Sequence, residues 1–189
     1  MKFGIKNYEP RFYSTSIEIM HDFASQLKKL KTQRIINVFS MRNKIDEEWN
    51  EDSPILLELT SCQLEICNYK LEELALSVNL IDRAHEIEKW DFGEYGKFEY
   101  EWRNDRQEFL GFIQAEIVGI EIIEQRFEST LIASKSISEE VEKTTSNWIL
   151  NGIGFATSKG YFSICNGQDT NQICTYKEDE KYLRSIRVF

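Results

Sequence analysis

The sequence predicts a β-rich α+β fold: mainly antiparallel sheet, one amphipathic helix near the N-terminus, and a candidate internal hairpin repeat. Three observations carry this. Apolar residues alternate with period two in several runs between 55 and 80 and again over 97–103, which is the signature of strands with two unlike faces. A single stretch, 16–31, repeats its apolar residues every three or four positions instead. Two distant segments share the layout strand, tight turn, strand, Ile-Cys-Asn.

Each element follows from its local pattern. Ile17, Met20, Phe23, Ala24, Leu27 and Leu30 form the helical stripe, with Ser14, Thr15 or Ser16 as its cap and Lys28, Lys29 and Lys31 at its negative end. His21 lies at the edge of that stripe. Gln33–Phe39 reads as a strand, and the acidic run Asp46–Asp52, closed by Pro54, as an exposed loop or short helical turn. Ile55, Leu57 and Leu59, then Leu64 and Ile66, are two strands whose phase slips by one across Thr60-Ser61-Cys62, as a hairpin turn requires. Leu74, Leu76, Val78 and Leu80 form a third strand. Lys97–Arg103 places Phe98, Tyr100 and Trp102 on one face and Glu99 and Glu101 on the other. A short helix is expected over 105–113, and a strand buried on both faces over Ile117–Ile123. Strands follow at 147–155, 161–165, 173–176 and 182–189.

The repeat aligns without a gap. Ile55 meets Ile153, Leu57 meets Phe155, Leu64 meets Phe162, Ile66 meets Ile164, Cys67 meets Cys165 and Asn68 meets Asn166. Duplication explains this; so does the alternation that any two hairpins share. The 189 residues suit one domain. Within it, two similar β-rich halves are drawn at about 33–133 and 147–189, with the polar stretch 134–146 as a linker.

The net charge of −9 argues against nucleic-acid binding, which needs clustered Lys and Arg. No apolar run is long enough to cross a bilayer and no signal-peptide pattern opens the chain, so a cytoplasmic protein without a membrane partner is expected. Cys62, Cys67, Cys165 and Cys174 match no zinc or redox spacing and are expected as free thiols.

No motif specifies a reaction. Around Gly152, Gly154, Ser158, Lys159 and Gly160 the order is wrong for a phosphate loop, which needs glycine before the lysine and Ser or Thr after it; a hairpin turn fits better. His85-Glu86 begins a zincin pattern, but Lys89 stands where the second histidine belongs. Glu58, Glu65, Glu99 and Glu101 fall on the polar phase of their strands, where a solvated sheet face explains them better than a glycosidase pair. Neither catalytic residues nor a cofactor or metal site is assigned.

The most function-like pattern is acidic residues interleaved with aromatics. Asp46, Glu47, Glu48, Trp49, Glu51 and Asp52 form one such cluster; Glu86, Glu88, Trp90, Asp91, Phe92, Glu94 and Tyr95 form another. If the strands of Glu58, Glu65, Glu99 and Glu101 are neighbours, those glutamates make a like-charge ladder that a basic partner relieves. The candidate partner-binding residues are therefore Asp46, Glu47, Glu48, Trp49, Glu51, Asp52, Glu58, Glu65, Glu99 and Glu101, with Trp49 as the aromatic anchor.

Three features belong together from Trp49 onward: the layout W-x4-P-I-x-L-E over Trp49–Glu58, the hairpin Leu64-Glu65-Ile66-Cys67-Asn68, and Asn166-Gly167. In these the chain resembles the small acidic proteins of bacterial toxin–immunity loci, a group defined by role rather than by one fold. The resemblance implies a cytosolic protein that neutralises a basic toxin domain by covering its surface, and it transfers no binding residue. The expected function is a non-enzymatic protein-binding module with a basic protein partner. The alternative is a small-molecule-binding or hydrolytic β-barrel or sandwich, with Phe98, Tyr100 and Trp102 lining a cavity. Exposed strand edges leave a homo-oligomer open as well.

Overall fold

The computed structural model describes residues 3–91, 93, 96–136, 139–177 and 181–189, and of residues 130–144 the backbone alone. Phe92, Glu94 and Tyr95 of the second acid–aromatic cluster lie outside the described residues. In chain order the elements are β1 (Phe12–Tyr13), α1 (Ser16–Asp22), α2 (Ala24–Lys28), β2 (Ile35–Asn43), β3 (Ile55–Leu59), β4 (Gln63–Tyr69), β5 (Glu73–Val78) and β6 (Trp90–Asp91). They continue with β7 (Lys97–Phe98), β8 (Tyr100–Arg103), α3 (Gln107–Leu110), β9 (Ile117–Ser136), β10 (Glu139–Thr157), β11 (Gly160–Asn166), β12 (Asn171–Cys174) and β13 (Leu183–Arg187). The fold is β-rich α+β with antiparallel sheets, as the alternation predicts.

A six-stranded sheet runs β1-β5-β4-β3-β2-β8 and a five-stranded sheet β12-β11-β10-β9-β13; β6 and β7 form a small ribbon. Ile55, Leu57, Leu64 and Ile66 of the first sheet and Ile120, Ile122, Ile153, Phe155, Phe162 and Ile164 of the second belong to one buried cluster. Burying both apolar faces against each other is the usual way two such sheets become stable. A second cluster, Ile5, Tyr8, Met41, Leu56, Ile81 and Ile87, lies on the opposite face of the first sheet. It is assembled from the N-terminal segment and the segment after β5. No helix among the described residues is long and apolar enough to cross a membrane.

The aligned hairpins pair identically. Ile55 faces Ile66 and Leu57 faces Leu64 in β3–β4, while Ile153 faces Ile164 and Phe155 faces Phe162 in β10–β11. The likeness extends to topology: β2 to β5 and β9 to β12 are both four-strand meanders, and a fifth strand, β8 or β13, returns beside the first strand of each. This is a Greek-key-like return used twice. The two sheets are therefore joined through 104–116, and the 134–146 stretch is not a linker. Ser134 pairs with Glu140 and Ser136 with Glu139 inside the β9–β10 hairpin. A polar strand without alternation leaves no period to read, so its sequence resembles a loop.

Three further corrections are local. The helix is not continuous over 16–31: Phe23, at φ −121° and ψ −14°, ends α1 and begins α2. Thr15 is the cap, in a reciprocal capping box with Glu18. The buried stripe is Ile19, Phe23, Leu27 and Leu30, so Ile17 is 78% exposed and His21 is on the surface rather than at the stripe's edge. The predicted strand 97–103 is interrupted at Glu99, because β7 pairs with β6 whereas β8 pairs with β2. Leu80 lies beyond β5 and is exposed. Cys62 is half-buried and Cys67, Cys165 and Cys174 are buried, none of them in a disulfide.

Candidate partner-binding pocket

The loop between β2 and β3 carries the first acidic cluster, and its shape comes from side chains bonding to nearby backbone. Asp46 accepts from the Glu48 N–H at 3.0 Å and from Asn43 Nδ2 at 2.8 Å. The side-chain oxygen of Asn50 accepts from the Asp52 N–H at 3.1 Å. Such Asx bonds replace ladder hydrogen bonds and hold tight turns. Glu47 sits at the bend with φ +62°.

Two arginines and one asparagine fix this loop to the body. Arg42 donates to the Glu47 carbonyl at 2.6 Å and its carboxylate at 3.2 Å. Arg106, buried at 6% exposure, grips both Glu51 oxygens at 2.9 Å, a bidentate pair of the strong kind. Both guanidiniums also lie over the Trp49 ring, at 5.5 and 5.6 Å from its centroid. Trp49 is thus occupied by cations of its own chain and is a structural post of the loop rather than a free anchor. Asn171 of β12, in the other sheet, donates through Nδ2 to the Glu51 and Ser53 carbonyls at 2.8 and 2.7 Å. Its Oδ1 accepts from the Asn68 N–H at 2.8 Å.

Most of the other candidate carboxylates are engaged in the same way. Glu58 accepts from Arg83 and from Asn37, each at 2.6 Å. Glu99 bridges Lys44 at 2.9 Å and Lys89 at 3.1 Å, and the Lys44 hydrogen bond, followed by that of Lys89, holds its carboxyl below the usual range. Glu101 pairs with Arg103 at 3.1 Å and stands opposite Arg42 across β2–β8. Glu65 is not on a solvated face at all. It is fully buried under the second cluster, with one oxygen accepting from the Leu80 and Ile81 N–H groups at 2.9 and 3.2 Å. Glu58 faces Gln63 and Glu65 faces Leu56, so the like-charge ladder does not form.

Asp46, Glu48 and Asp52 remain, with no ion pair among the described residues. These three meet Trp49, Phe98 and Tyr100 around one open pocket of about 220 Å³, whose lining also includes Thr170. Burial, then the charges of Asp46 and Asp52, push the Tyr100 hydroxyl's pKa up. The pocket continues across Glu51 and Thr170 into a polar cleft of about 520 Å³ lined by Arg106, Glu108, Asn171 and Gln172. Tyr100 and Trp102 also pack against the second cluster, so Trp102 is part of the body. Three carboxylates beside aromatic faces suit an ammonium or guanidinium group. Among the described residues no cluster of His, Cys, Asp and Glu is arranged to hold a metal ion.

Sequence reasoning reached Asp46, Glu48, Trp49 and Asp52 but missed Arg106, Thr170 and Asn171. The contact between Asn171 and Glu51 spans 120 residues, and no local pattern announces it. No protein family, no curated protein and no solved structure matches the chain, so the pocket is read from its own chemistry.

Proposed function

We propose that the protein is a non-enzymatic binding module of the cytoplasm that docks a basic protein, in the manner of an immunity protein covering a toxin domain. A Lys or Arg side chain of the partner enters the pocket of Asp46, Glu48 and Asp52 and lies against Tyr100 and Phe98. The observation that carries the reading is selective neutralisation. Glu47, Glu51, Glu58, Glu99 and Glu101 each have an internal cation, whereas Asp46, Glu48 and Asp52, with no ion pair among the described residues, converge at one aromatic-walled pocket. The net charge of −9 adds long-range attraction, which accelerates encounter more than it tightens the complex.

The test is affinity capture from host lysate with the wild type and with Asp46→Asn/Glu48→Gln/Asp52→Asn side by side, at low and high salt. The reading expects basic proteins held by the wild type, released by salt and missing from the triple variant. Identical captured sets for both proteins would dismiss the pocket as the docking site.

A further inference from the structure

β12 closes one edge of the five-stranded sheet. In an antiparallel pair, successive residues point both main-chain groups alternately toward and away from the neighbouring strand. The Asn171 N–H turns away from β11 and reaches the Glu51 carbonyl at 2.8 Å. Gln172 therefore faces its register partner Cys165, and Ile173 points outward again. No hydrogen bond among the described residues ends on the outward N–H or C=O of Ile173. The acidic loop thus covers the first outward position of this edge and leaves the second open. Unpaired edge groups of this kind are a template for a further strand.

Ile173 also lines the polar cleft of about 520 Å³, together with Gln168, Thr170, Gln172, Arg106 and Glu108. Arg106 is held by Glu51 at 2.9 Å and by Glu108 at 3.3 Å, so it is not free to receive an anion. Apart from Ile173, the described lining is polar or glycine, which suits a small apolar ligand poorly. An extended main chain, with its alternating donors and acceptors, matches both this lining and the open edge. The cleft shares Glu51 and Thr170 with the pocket of Asp46, Glu48 and Asp52. The geometry points to strand addition: an extended segment of the basic partner pairs with Ile173 at the edge of β12, and its adjacent Arg or Lys enters the pocket. The inference rests on the docking reading proposed above and adds the partner's conformation. Edge hydrogen bonds supply affinity and the pocket selects the cation. β12 has four residues, so the paired segment is short.

Calorimetric titration and NMR hydrogen exchange test this on the full wild-type chain, with the capped peptide Thr-Val-Arg-Val-Thr and the same peptide N-methylated at both valines. Methylation keeps the arginine and its charge but removes the main-chain donors beside it. The protein itself is unaltered, so a failure to fold does not enter. The unmodified peptide should shift the Ile173 amide and slow its exchange about tenfold at saturation. The methylated peptide should bind about tenfold more weakly, the effect of one or two lost hydrogen bonds. Affinities within about threefold of each other, or an Ile173 amide untouched by the bound peptide, overturn strand addition and leave the cation pocket standing. If neither peptide binds, the docking reading falls and strand addition falls with it.

Discussion

Replacing Asn171 by alanine separates the acidic loop from the sheet that holds it. Asn171 is 2% exposed, and its side chain makes four hydrogen bonds: from Asn68 N and Nδ2 at 2.8 and 3.2 Å, and to the Glu51 and Ser53 carbonyls at 2.8 and 2.7 Å. The Glu51 carbonyl keeps a partner, since the Asn171 main-chain N–H also reaches it at 2.8 Å. The Asn68 N–H and the Ser53 carbonyl lose theirs inside the protein. Each stranded group costs about 1–3 kcal/mol, so Asn171→Ala should destabilise the fold by about 3 kcal/mol. For a chain of this length that is a drop of roughly 6–12 °C in Tm. Asn68→Ala is the control: it removes one side-chain donor, keeps the main-chain bond, and should cost about 1 kcal/mol. Urea denaturation of both variants measures the difference. Equal losses, or a loss under about 1 kcal/mol for Asn171→Ala, would refute the claim that this side chain ties the loop to the second sheet.

Three other predictions concern the body of the protein. Burial pushes the Cys67 thiol up to about 12, so its contribution to stability is complete below the unfolded value of about 8.5 and declines as pH rises toward 12. Urea midpoints from neutral to alkaline pH should therefore fall less steeply in Cys67→Ala, and iodoacetamide should label half-buried Cys62 well before Cys67. Glu65→Ala should cost about 3 kcal/mol by stranding the Leu80 and Ile81 N–H groups, and Glu65→Gln, which keeps an acceptor, clearly less; equal costs would argue against the buried role. A Cβ at Gly154 would lie 2.2 Å from the Tyr161 hydroxyl, which donates to Glu121 at 2.8 Å. Gly154→Ala should thus cost about 2 kcal/mol by forcing the ring aside, with part of the loss recovered in a Tyr161→Phe background, read from thermal melts.

The β-strands were legible where apolar residues recur at every second position. Leu64 lies between Gln63 and Glu65 and Phe155 between Gly154 and Ala156, and the pairing of each hairpin follows from the turn between its strands. The period tells faces apart but not what covers each face. Glu65 occupies the polar phase of its strand, yet the N-terminal segment and the chain after β5 close over it. The same limit applies to charge. Asp46 to Asp52 reads as a bare acidic loop because Arg106 and Asn171 reach it from distant parts of the chain. Of the acidic residues singled out in the sequence, Asp46, Glu48 and Asp52 have no ion pair among the described residues. Trp49 was correctly singled out as unusual, but its neighbours are its own arginines. The stretch 134–146 was read as a linker because its sequence shows no alternation, and only the backbone pairing of β9 with β10 reveals the hairpin.

The most direct test of the central claim is a two-dimensional NMR titration of the isotope-labelled protein with a short arginine-bearing peptide, at low and at high salt. Docking of a cation in the pocket predicts shifts confined to residues 46–52, the Trp49 indole, Tyr100 and Thr170, weakened by salt and lost in Asp46→Asn/Glu48→Gln/Asp52→Asn. Shifts spread evenly over the acidic surface, or an unchanged response in the triple variant, would contradict it.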